Sequence, residues 1–112
     1  MKDMRVLKKE ECAVLPLVLE KQWYDMVASG KKKEEYRVSE RVMRQIERWC
    51  GEAYINSRRL VVQFFLGYQK DRPSVVFEAG APFASTQSLQ PAWGEPPCFH
   101  YVIPLAEEVE LV

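Results

Sequence analysis

Residues 30–37 read Gly30-Lys31-Lys32-Lys33-Glu34-Glu35-Tyr36-Arg37, and the fold turns on how they are read. Six of the eight are charged, and they follow a stretch, Glu20 to Ser29, that places Trp23, Met26 and Val27 on one helical face. Glycine has no Cβ and accepts the left-handed conformation that ends a helix. Gly30 is therefore expected to stop this helix and to launch residues 33–38 as a strand. Gly30, Lys32, Glu35 and Arg37 have the spacing G-x-K-x-x-E-x-R, which sets charges of both signs close together. Such a cluster binds a polar ligand, or it is an ordinary solvated strand end worth about 0–1 kcal/mol.

Upstream, Ala13 to Leu19 is short and almost wholly apolar, as in a buried strand. Pro16 removes one ladder donor, so this strand is expected at a sheet edge or with a bulge. Residues 1–12 read as a charged N-terminal tail, and residues 13–112 as one domain. Downstream, Ser39 is a helix-capping residue, and Val42, Met43, Ile46, Trp49, Cys50 and Ala53 recur with helical period. Trp23 and Trp49 are both expected on core faces. Residues 60–68 and 74–79 read as strands joined by a turn. Residues 80–98 read as a long loop, 99–105 as the last long strand and 108–111 as a short one. The order strand, helix, strand, helix, then strands implies α+β, with a curled or barrel-like sheet.

The 112 residues carry zero formal net charge, which argues against a strongly non-specific nucleic-acid binder. The charge is uneven, however: residues 1–60 hold 14 Lys or Arg against 10 Asp or Glu, and residues 61–112 hold 2 against 6. Cys12, Cys50 and Cys98 are far apart and form no C-x-x-C, so no metal or other cofactor is expected, and a reducing compartment is. No apolar run approaches the ~20 residues that span a bilayer, so a cytoplasmic protein without a membrane partner is expected.

On these residues the chain resembles the ASCH domain family, in particular its small single-domain bacterial or phage-type members. The resemblance begins with the strand, helix and G-x-K-x-x-E-x-R of residues 15–37. It continues through Gly67-Tyr68, Lys70-Asp71, Pro73, Glu78, Trp93-Gly94 and Tyr101-Val102-Ile103, covering roughly residues 13–111. It implies a PUA-like fold, a small β-barrel with two flanking helices, and binding of RNA or a nucleoside-like small molecule. Some small members are amidohydrolases that remove the acetyl group from acetylated cytidine. In them a threonine, taken as the nucleophile, stands where this chain has Glu35. The resemblance matches Lys32 to the assisting lysine and Glu78 to a later strand carboxylate. Glutamate could instead act as a general base towards water.

The expected site therefore has Lys32, Glu35 and Glu78 as its catalytic candidates. Lys32, Glu35, Arg37, Tyr68 and Trp93 are its ligand-binding candidates. Lys32 would hold an anionic or carbonyl oxygen, Glu35 and Glu78 would accept from base or sugar donors, and Arg37 would pair with Glu35 or a phosphate. Tyr68 and Trp93 would stack on a base. Arg41, Arg44 and Arg48 share a helix face, but Glu40–Arg44 and Arg48–Glu52 are expected to neutralise one another. His100 and the loop hydroxyls Ser85, Thr86 and Ser88 are weaker candidates, supported by location alone.

Overall fold

A computed structural model describes residues 4–87 and 98–112. The elements run β1 (Arg5–Leu7), a 3₁₀ turn (Lys9–Glu11), β2 (Cys12–Leu19), α1 (Lys21–Ala28), β3 (Glu34–Arg37), α2 (Glu40–Asn56), β4 (Arg59–Leu66), β5 (Ser74–Ala79), β6 (Phe83–Ser85) and β7 (His100–Leu111). This is α+β, as expected, with two α-helices beside a curled, half-barrel sheet of seven strands among the described residues.

The main path of the sheet is β1-β7-β5-β4-β2, with β3 and β6 also paired to β7. The twelve residues of β7 create the curl. The half from His100 to Pro104 pairs with β3 and β6, whereas the half from Leu105 to Leu111 pairs with β5 and β1. A register irregularity between Phe77 and Ala79 lies where the partners change. One strand thus serves two sheet segments that cannot lie flat together.

β2 lies at the end of the path, which accommodates Pro16 on an edge strand. Its inward residues Ala13, Leu15, Leu17 and Leu19 join Val62, Phe64, Phe77 and Ile103 in the main core. Side chains of this size each contribute roughly 1.5–3 kcal/mol when fully buried. Helix α2 adds Ile46, Trp49 and Ala53, and Trp49 Nε1 donates to Ala13 O at 2.6 Å, tying the helix to β2. A second cluster of Leu7, Cys12, Val61 and Val109 lies on the other face.

Several expectations are corrected. Arg5–Leu7 is not tail: it pairs in parallel with Val109–Leu111, and Leu7 is buried in the second cluster. Phe83–Ser85, expected as loop, forms a strand on β7, and the two expected C-terminal strands are one. Tyr24, not Trp23, is the buried aromatic of α1, beside Val27. Glu52 pairs with Arg58 at 3.1 Å instead of Arg48, because left-handed Ser57 (φ 52°) turns the chain back towards the helix. No described helix is long and apolar enough to cross a membrane.

Candidate functional site

Helix α1 ends as the sequence requires: Gly30 has φ +79°, and its N–H donates to Val27 O at 3.0 Å. The chain then doubles back, and Lys32 N donates to Met26 O at 3.0 Å. This return sets Lys32 beside α1 before β3 begins. In β3, Glu35 lies opposite Ile103, a main-core residue, so its carboxylate is directed inward.

Glu35 is only 3% exposed. A carboxylate at that depth costs several kcal/mol unless it is paired and hydrogen-bonded. Its Oε1 accepts from Lys32 Nζ at 3.1 Å and from the Tyr36 backbone N–H at 3.0 Å. Its Oε2 lies 3.7 Å from Arg37 Nη2, beyond hydrogen-bond reach. Glu35 Oε2 and Arg37 Nε are buried and have no hydrogen-bond partner. One acceptor and one donor are therefore left unmet in the same small region, which is uncommon in folded proteins.

All three charged residues line one cleft of about 510 Å³ between α1, β3 and the start of α2. Trp23, Tyr36 and Ser39 also line it. The Lys32 ammonium lies 5.2 Å from the Trp23 ring centroid and 5.7 Å from that of Tyr36, within cation–π range of both. Ser39 holds the N-cap position of α2, yet its hydroxyl makes no capping bond. Trp23 was expected in the core but is 38% exposed and forms a wall of the cleft. An α1 of two turns gives too few apolar positions to fix its buried face from period alone.

The structure does not bring Glu78 to this cleft. Its register partner is Val61, a member of the second cluster, so its side chain lies on the other face of the sheet from Phe77. There it pairs with Arg5 and with Arg59 Nη1, the latter at 2.9 Å. Burial pushes the Glu78 carboxyl upward, but its hydrogen bonds and charge contacts with Arg59 and Arg5 outweigh this and hold it below the usual carboxylate range. A catalytic partnership between Lys32 and Glu78 is thereby corrected, because the sheet separates them.

Tyr68 is 85% exposed and follows Gly67, which has φ +68°. It does not line the cleft, although Gly67 N donates to Leu19 O at 3.1 Å, and Leu19 does line it. Trp93 and Ser88 lie outside the described residues. Buried His100 has its Nδ1 2.8 Å from Cys98 O and stands edge-on to Tyr36. Ser85 is its cross-strand partner. Arg44 is engaged by Glu40 at 2.6 Å. Among the described residues, His, Cys, Asp and Glu form no cluster of three or more that could ligate a metal ion.

No family model, curated protein or solved structure matches this chain.

Proposed function

We propose that the chain binds RNA or a modified nucleoside in the cleft built by Lys32, Glu35 and Arg37, with the ASCH-like, PUA-like relationship that its sequence motif implies. The observation that carries this reading is the buried Glu35 carboxylate, fixed by Lys32 and Tyr36 N on one oxygen and left without a hydrogen-bond partner on the other. A carboxylate so placed accepts from an exocyclic amine or ring N–H of a base. Lys32 and Arg37 serve a carbonyl or phosphate oxygen of the same ligand. Phosphate contacts of this kind release counterions, so binding of single-stranded RNA weakens as salt rises.

Titration of a nucleoside and nucleotide panel into the purified protein tests the reading, with Glu35→Gln as the matched variant. The amide keeps the shape and removes the charge, so affinity is expected to fall roughly tenfold or more. Equal affinity in the variant would contradict the assignment.

A second reading, hydrolysis of an amide on a modified nucleoside such as acetylated cytidine, has one observation in its favour. Lys32 contacts Glu35 within the cleft, which offers a cation for the carbonyl oxygen beside a carboxylate base. Release of acetate from acetylated cytidine by the wild-type protein, abolished in Glu35→Gln, would select this reading over simple binding.

A further inference from the structure

We infer that Trp23 is the residue on which the ligand's flat ring stacks, and that it makes the cleft selective for a planar heterocycle over a bare sugar phosphate. The inference rests on reading the cleft as a nucleoside site, and it assigns to Trp23 the stacking that the sequence assigns to Tyr68 and Trp93.

Three features of Trp23 carry it. Leaving an indole more than a third exposed on a helix that buries its neighbouring Tyr24 forgoes apolar burial. The exposed surface is also placed where a ligand would use it, as a wall of the cleft that Lys32 and Glu35 line. Finally, the Lys32 ammonium sits over the ring, 5.2 Å from its centroid, and bonds Glu35 Oε1 at 3.1 Å. A flat ring laid against the indole comes next to this ammonium, a donor for an acceptor on the ring's edge. Nucleobase edges carry such acceptors in their ring nitrogens and carbonyl oxygens. Tyr36, 5.7 Å from the same ammonium, gives it a second aromatic neighbour. A sugar phosphate alone reaches the cations and gains nothing from the indole. Tyr68 lacks these neighbours: it is outside the cleft lining and 85% exposed.

The test is calorimetric titration of the four common nucleoside monophosphates, and of ribose phosphate, into the wild type, Trp23→Phe, Trp23→Leu and Glu35→Gln. Base stacking on an aromatic ring predicts that Trp23→Leu weakens the best nucleotide roughly tenfold and leaves ribose phosphate unchanged. Trp23→Phe keeps a ring and is expected to stay within about threefold of the wild type. If Trp23→Leu binds nucleotides as the wild type does while Glu35→Gln does not, the stacking role is overturned and the cleft assignment survives. If the wild type binds no nucleotide better than ribose phosphate, both fail. Should Trp23→Leu not fold, indole fluorescence decides. Quenching by nucleotide in the wild type that disappears in Trp23→Phe supports the role, because that variant keeps Trp49 and Trp93. Absence of quenching in the wild type overturns it.

Discussion

Glu35 and Glu78 are both strand carboxylates held between two cations, yet they serve opposite sides of the sheet. Glu35 shares its face with Ile103 and opens to a cleft walled by Trp23 and Tyr36. Glu78 shares its face with Val61 and clamps the N-terminal strand through Arg5 and Arg59. The second carboxylate has a basic partner for each oxygen; the first keeps an oxygen without a hydrogen bond. Satisfaction distinguishes them: a fully paired carboxylate holds structure together, and an incompletely paired one at a cleft has capacity left for a ligand.

Removing each carboxylate sharpens this contrast. Glu35→Ala leaves Lys32 and Arg37 partly buried without their counter-charge. Breaking a fully buried pair costs 3–5 kcal/mol, and the partial exposure of both cations reduces the expected loss to about 2 kcal/mol in denaturant unfolding. Glu78→Gln strands only half-exposed arginines, so its expected cost is smaller, about 1 kcal/mol, with ligand binding unchanged. A larger loss for Glu78→Gln than for Glu35→Ala would reverse the comparison.

Acid should separate the two further. The Glu78 carboxyl is depressed in the folded state, so its contribution is fully present above its unfolded value and is lost as pH falls through the folded one. Thermal melts of the wild type from about pH 5 downward are expected to show this loss, and Glu78→Gln to show a shallower decline. Parallel slopes would remove the Arg5–Glu78–Arg59 cluster from the account. The smallest effect is expected at Tyr68. Its exposed ring touches little, so Tyr68→Ala should change stability by less than about 0.5 kcal/mol. A larger change would mean that Tyr68 anchors the turn after β4.

Much of this arrangement is legible in the chain. The glycine after an amphipathic run, the proline in an edge strand and the six-residue apolar series in α2 each have a local cause that acts without the rest of the fold. Adjacent positions of β5 put Glu78 and Phe77 on opposite faces, whereas the family resemblance groups Glu78 with Lys32. Hidden features depend on distant partners. Arg5–Leu7 is strand only because β7 offers it an edge, and Phe83–Ser85 for the same reason. Trp23 became a cleft wall because the return of the chain after Gly30 brought Lys32 to it, which periodicity along α1 cannot register.

The most direct test of the division between the two carboxylates is one titration series. The tightest-binding nucleotide from the panel is titrated into wild type, Glu35→Gln and Glu78→Gln under one salt condition. The account predicts at least a roughly tenfold loss for Glu35→Gln and wild-type affinity for Glu78→Gln. Wild-type affinity in Glu35→Gln, or a matching loss in Glu78→Gln, would contradict it.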